Sequence, residues 1–278
     1  MRKNLTTKQF QKEIYRHYRA EGRTLPWRFE KDPYKIFISE VMLQQTQVSR
    51  VQEKYGAFLK KFPEFRALSR APLSQVLRAW QGLGYNRRAL QLRGAAEEIV
   101  RSHGGALPRE REKLEALPGI GPATARSIRA FAFNEPEVFI ETNIRSVYLH
   151  FFFPKSKNVP DKKLLPFIEK TLDRKNPREW YYALMDYGAM LKKSVVNPSR
   201  RSAAHVRQKK FKGSIREARG AVIRLLLAHP ASLSELQKNL SLEPKKIEQA
   251  VQGLAKEGFL RKTKKGYFVE KRGVNQKK

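Results

Sequence analysis

The chain has no cysteine in its 278 residues. That excludes disulfides, thiolate nucleophiles and every cysteine-ligated zinc or iron–sulfur site. Histidine is scarce as well: five are scattered along the sequence, which argues against a zinc site built by the protein, so no metal and no cofactor are expected. Long apolar runs are missing, none approaching the roughly 18 residues of a membrane span. The start, Met1-Arg2-Lys3-Asn4-Leu5, continues into a polar helical pattern without an apolar signal core. The expectation is a cytoplasmic protein, nucleoid-associated in a bacterium, with no membrane contact.

Acidic residues are in deficit. Twenty-six Asp+Glu face 58 Lys+Arg, a net charge of +32. A chain so charged repels itself when folded, and polyanions are the usual partners that offset this. Apolar residues make up 40% of the sequence, too many for a disordered chain, and the length suffices for one large or two to three smaller domains.

Helical periodicity dominates up to about residue 192. It predicts helices over 6–21, 34–48, 48–61, 66–70, 73–81, 87–102, 110–116 and 122–132, and then over 143–152, 161–173 and 176–192. Phe62-Pro63, Ala71-Pro72, Gly82-Leu83-Gly84, Gly104-Gly105 and Leu107-Pro108 punctuate them. Strand-like alternation is absent up to Phe131, so that region reads as all-α. Residues 193–213, with Asn197-Pro198-Ser199-Arg200-Arg201 and Arg207-Gln208-Lys209-Lys210, read as a basic linker or DNA-tracking loop. Beyond them, helices at 214–229, 234–240 and 243–257 precede two short strands around Lys264-Lys265. Three helices and a hairpin are the order of a winged helix-turn-helix, whose third helix commonly enters the DNA major groove. Here that helix carries Lys245, Lys246 and Gln249.

Three features carry chemistry. Leu117-Pro118-Gly119-Ile120-Gly121-Pro122-Ala123-Thr124-Ala125 is a glycine-pinned turn between helical runs. Gly119 and Gly121 permit backbone angles closed to other residues and close approach of a phosphate, and the next helix points its first amides at that anion. Glu40 stands among Val41, Met42 and Leu43; it is an exposed helix acid, or a buried one whose raised pKa suits proton donation near neutrality. Glu141 follows the apolar Val138-Phe139-Ile140 and precedes Thr142-Asn143, as a helix-start acid or as a second catalytic carboxylate.

Taken together, residues 25 to 191 resemble the helix-hairpin-helix family of DNA base-excision glycosylases, most closely the adenine DNA glycosylases of the MutY type. The resemblance rests on Leu25-Pro26-Trp27-Arg28, Asp32-Pro33-Tyr34, Ser39-Glu40-Val41-Met42-Leu43-Gln44-Gln45-Thr46-Gln47-Val48 and Gly82-Leu83-Gly84-Tyr85. It rests also on Leu117-Pro118-Gly119-Ile120-Gly121 and Ala183-Leu184-Met185-Asp186-Tyr187-Gly188-Ala189-Met190. It implies a two-lobed all-α fold with DNA in the cleft, to which a C-terminal winged-helix-like α+β module is added. The expected division is 1–28 with 136–213 as one lobe and its basic linker, 29–135 as the helical lobe with the hairpin, and 214–278 as the winged-helix module. By the same likeness a nucleotide is flipped out of double-stranded DNA at a mismatched or damaged base. Glu40 protonates the purine leaving group and Glu141 stabilises the sugar cation. Gln44 and Gln45 wedge the strands, Asn143 adjoins the carboxylate, and Arg28, Tyr85, Gly119, Gly121, Thr124, Lys245 and Lys246 complete the expected substrate- and DNA-binding set. A monomer is expected.

The chain departs from the family pattern in places. Members that also cut the strand carry a hairpin lysine where this sequence has Ala123, so a monofunctional glycosylase without lyase activity is expected. The second carboxylate, usually aspartate, is Glu141. Four cysteines usually come after Met190 to hold an iron–sulfur cluster; here Leu191-Lys192-Lys193-Ser194 begins a stretch with none, so no cluster is expected. A winged-helix-like module stands where a Nudix-like one is usual. The leading expectation is removal of adenine opposite 8-oxoguanine or guanine; the alternatives are another damaged or mismatched base, or a non-catalytic DNA-binding protein on the same scaffold.

Overall fold

The structure is a computed structural model and describes residues 5–206 and 210–269; Met1 to Asn4, and Arg207-Gln208-Lys209 of the basic run, lie outside the described residues. In chain order come α1 (Thr7–Glu21), α2 (Pro33–Leu43), α3 (Val48–Lys61), α4 (Phe65–Arg70), α5 (Leu73–Trp80), α6 (Arg87–Ser102) and α7 (Arg111–Glu115). Next are α8 (Pro122–Phe133), α9 (Thr142–Phe152), α10 (Leu165–Thr171), α11 (Pro177–Ser194), α12 (Ile215–Ala228), α13 (Leu233–Asn239), α14 (Pro244–Lys256), β1 (Leu260–Thr263) and β2 (Gly266–Val269). The fold is thus mostly helical, with a two-stranded sheet at the C-terminal end, as expected.

Contacts group the chain into two compact units. The first comprises Met1–Glu40, Arg109–Ala116 and Ile120–Arg207; the second comprises Val41–Pro108, Leu117–Gly119 and Gln208–Lys278.

In the first unit, α1 begins with a capping box in which Thr6 and Gln9 satisfy each other's amides. Phe10 and Ile14, four residues apart on one face, are fully buried. Phe10 meets the rings of Tyr148, Phe151 and Phe152 of α9 and Trp180 of α11 at 5.1–5.8 Å. Helix α8 falls in this unit, where Phe131 stacks on Tyr182 of α11 with centroids 4.7 Å apart. Helices α9 and α11 approach closely. A Cβ added at Gly188 would lie 2.3 Å from the Asn143 carbonyl oxygen, so the crossing requires glycine there.

Two expected helices are shorter than the periodicity suggested. Helix α2 stops at Leu43 rather than 48, because Gln45 takes a left-handed φ of 56° that ends the helix. The 161–173 run splits into a 3-10 turn, Asp161–Lys163, and α10, since Pro166 has no amide N–H to continue the ladder and sits in the first turn of a new helix. Part of the expected linker is packed structure: Pro198–Arg201 forms a 3-10 turn, Ser202 bridges Val159, and the Arg201 guanidinium donates to the Leu149 carbonyl at 2.9 Å and to that of Pro154.

In the second unit, Arg88 is buried and binds five acceptors: the carbonyls of Val41 and Met42 at the end of α2, those of Leu83 and Gly84, and Thr46 Oγ1. One guanidinium thus clamps the Gln44–Thr46 loop to the Gly82–Tyr85 loop. Helices α12 to α14 pack together with the hairpin, whose register runs from Leu260 opposite Val269 to Thr263 opposite Gly266. Gly266 has φ 109°, and a Cβ there would strike the Ala231 carbonyl at 2.4 Å. The order of three helices and a hairpin is the one anticipated. Arg78 of α5 donates to the Leu227 carbonyl of α12, and Arg216 Nη1 donates to Tyr85 Oη at 3.1 Å.

Candidate active site

Glu40 sits in the last turns of α2, next to Ile36, Phe37, Ile38, Val41 and Met42, all buried. The residue is partly exposed on average, but its carboxyl is surrounded by protein, and it is the carboxyl's own surroundings that set proton affinity. Burial pushes its pKa up to about 7, a hydrogen bond from Ser127 pulls it down, and the nearby charge of Glu141 raises it again. Of the two readings open in the sequence, the surroundings of the carboxyl favour the acid with a raised pKa. Ser127 Oγ donates to Glu40 Oε2 at 2.7 Å.

Glu141 is the N-cap of α9. Its Oε1 accepts from the backbone amides of Asn143 at 2.7 Å and Ile144 at 2.8 Å, and its Oε2 accepts from Asn143 Nδ2 at 3.2 Å. Three donors and the positive end of a helix hold it as an acceptor. Asn143 Oδ1 in turn accepts from Lys192 Nζ at 2.6 Å. The two carboxylates therefore occupy one electrostatic neighbourhood, one suited to carrying a proton and the other, bound by donors, to carrying negative charge. Tyr182, buried and held neutral by burial foremost, feels the charge of Glu40.

The hairpin lies between α7 and α8. Gly119 has φ 80°, and a Cβ on it would meet Gln91 at 2.9 Å, so glycine is required there as expected. Gly121 has φ −91° and ψ 174° with nothing near a would-be Cβ; its backbone is open to any residue, and only close approach of a ligand would need glycine. Pro122 starts α8 as its first residue, Ala123 is exposed and Thr124 partly so.

With this geometry in place, residues 38–170 match the family described as HhH-GPD superfamily base excision DNA repair protein. Over that stretch the chain is similar to that superfamily. It is 37% identical over 192 residues to an adenine DNA glycosylase of Buchnera aphidicola, a match that covers 67% of this chain and 54% of that protein. An adenine DNA glycosylase of Mycolicibacterium smegmatis is 28% identical over 278 residues, covering 92% of this chain and 94% of the other. Among solved structures, a thermostable thymine-DNA glycosylase aligns with a TM-score of 0.60 and 27% identity, over 66% of this chain and 86% of that one. The chain spans about half the length of the Buchnera relative.

The remaining expected residues differ in their surroundings. Gln44 Nε2 donates to the Gly119 carbonyl at 3.3 Å, which ties the Gln44–Thr46 loop to the hairpin turn, and Gln45 is exposed. Tyr85, with φ 47°, lies under Arg216, and Arg88 lies 5.6 Å from its ring centre. Arg28 is not at the surface: its side chain is 5% exposed, its guanidinium is bidentate to Asp186 with contacts of 2.6 and 2.7 Å, and it lies over the Tyr182 ring. Lys245 is exposed at the start of α14, and Lys246 pairs with Glu243 at 2.8 Å.

Sequence reasoning passed over Ser127, Lys192 and Arg88. A serine on the otherwise apolar buried face of α8 was a usable signal; Lys192 and Arg88, inside basic runs, gave none.

A cysteine-ligated iron–sulfur cluster does not fit this chain, since thiolate donors are absent from the sequence and the stretch after Met190 is cationic. Among the described residues no cluster of three or more His, Asp or Glu could hold a metal ion, and no helix is long and apolar enough to cross a membrane.

Proposed function

We propose that this chain is a monofunctional DNA glycosylase that hydrolyses the N-glycosidic bond of a flipped base in duplex DNA, adenine opposite 8-oxoguanine or guanine being its substrate. The observation that carries the reading is a carboxyl at Glu40, surrounded by protein with its pKa raised to about 7, in the field of a Glu141 side chain bound by three donors. The names of the curated relatives favour adenine.

In this reading Glu40 gives its proton to a ring nitrogen of the departing purine, so the base leaves neutral and the bonding electrons go with it. Glu141 faces the positive charge that develops on the sugar. Water then adds to C1′ and returns its proton to Glu40, leaving an abasic site. The amides at the start of α8 hold a backbone phosphate without reading sequence, Gln44 and Gln45 fill the gap, and Lys245 and Lys246 add phosphate contacts. Ala123 offers no amine for a Schiff base, so strand cleavage does not follow.

The test is a panel of labelled duplexes carrying A:8-oxoguanine, A:G, T:G, U:G and hypoxanthine, incubated and then treated with alkali. T:G belongs in it because the structural relative is named a thymine-DNA glycosylase. Release of adenine, abolished by Glu40→Gln, is the expected result. No break on any duplex would overturn the enzymatic reading, and a borohydride-trapped covalent complex would overturn its monofunctional part.

A further inference from the structure

We propose that Lys192 is a positioning residue for Glu141, acting through the side chain of Asn143; this rests on the glycosylase reading above.

Helix α11 reaches the first turn of α9 only because residue 188 is glycine, whose missing Cβ would lie 2.3 Å from the Asn143 carbonyl and 2.7 Å from its Cβ. Lys192 is one turn further along the same face of α11. Its ammonium donates to Asn143 Oδ1 at 2.6 Å, and Asn143 Nδ2 donates to Glu141 Oε2 at 3.2 Å. The order of these three groups is dictated by chemistry. An ammonium has only donors and an ionised carboxylate only acceptors, so with both in place the amide has a single orientation. Without the ammonium, the Asn143 amide is free to turn its oxygen toward Glu141, where it repels the carboxylate.

Lys192 is half-buried, and burial foremost lowers its pKa while Glu141 opposes that shift. The other cations whose charge Lys192 feels, Arg23 and Arg145, are engaged by Asp186 at 2.6 Å and by Asp161 at 2.7 and 2.8 Å, which leaves the Asn143 oxygen to Lys192. Orientation rather than neutralisation is the consequence, because the amide stands between the two charges. A carboxylate that must face a sugar cation gains from being held in one rotamer, since misplacement by about an ångström costs on the order of a hundredfold in rate.

The experiment compares wild type, Lys192→Met, Lys192→Arg, Asn143→Ala and the Lys192→Met/Asn143→Ala double variant, each first shown to melt as a folded protein. Two quantities are read: single-turnover base release, and the ratio of affinities for a duplex with a cationic azasugar nucleotide over one with neutral tetrahydrofuran. Lys192→Met is expected to slow release about tenfold or more and to lower the affinity ratio, while tetrahydrofuran binding stays near wild type. Lys192→Arg is expected to restore both, and Lys192→Met to add nothing on the Asn143→Ala background. Wild-type release and ratio in Lys192→Met, or its full effect added on top of Asn143→Ala, would overturn the proposal. A wild type that releases no base fails the glycosylase reading instead, and the affinity-ratio cycle still decides the role of Lys192.

Discussion

Ser127 Oγ stands 2.7 Å from Glu40 Oε2 and 3.0 Å from the carbonyl of Thr124, so a single hydroxyl proton has two acceptors. When Glu40 is ionised, Ser127 donates to it. When Glu40 is protonated, the carboxyl donates to Ser127, which then donates to Thr124. The pair stays hydrogen-bonded in both states, and an acid that gives and regains a proton needs this.

Ser127→Ala removes the bond that favours the ionised form, and Glu40 then holds its proton to higher pH. Base release needs that proton, so its rate falls as pH rises through the Glu40 pKa, about 7 in the wild type. In Ser127→Ala this alkaline limb is expected about half to one pH unit higher. A single-turnover pH–rate profile checks it; a limb at the wild-type position would refute the coupling.

Glu40→Gln is expected to abolish release yet stabilise the fold at alkaline pH. The folded state keeps the Glu40 proton to about pH 7, while an unfolded glutamate loses it near the ordinary 4.5. Between these values the folded state binds more protons, so wild-type stability falls as pH rises through that window. The neutral amide escapes this loss. Urea melts at pH 4 and pH 8 should show no gain at the lower pH and a gain on the order of 1–3 kcal/mol at the higher.

Arg88→Met leaves five acceptors without their donor, two of them carbonyls at the end of α2. A loss of at least about 2 kcal/mol is expected in denaturant melts. Because the same guanidinium ties the Gln44–Thr46 loop to the Gly82–Tyr85 loop, affinity for an abasic duplex should fall too. Unchanged affinity in a folded Arg88→Met protein would separate the clamp from DNA binding.

Gly188→Ala puts a methyl group against the Asn143 backbone at 2.3 Å, a contact that no rotamer relieves. The expected cost is about 1–3 kcal/mol, with base release slowed because the displaced turn is the one Glu141 caps. Release at the wild-type rate would show that the α9–α11 crossing does not set the carboxylate's position.

Much of this chain was legible from short windows of sequence. Helices α3 and α6 fall where periodicity placed them. Gly119 has the positive φ its place in the turn demanded. The cationic balance and the absence of cysteine needed no coordinates. Such properties are local: a helix repeats every 3.6 residues, and a glycine's angles depend on its own missing side chain.

What tertiary structure decided was the state of each charged group. Nothing near Arg28 in sequence foretold that Asp186, 158 residues away, would take its guanidinium into the interior. Gly121 looked as constrained as Gly119 and is not. Glu40 gains its raised proton affinity from burial, tempered by Ser127, 87 residues further on, and Asn143 is reached by Lys192 across 49 residues. Desolvation and the orientation of a hydrogen bond depend on which atoms surround a group, and for a chain of many helices that is settled only when the helices pack. The sequence by itself determined which residues could do chemistry; packing determined that Glu40 has a raised proton affinity and that Glu141 is bound as an acceptor.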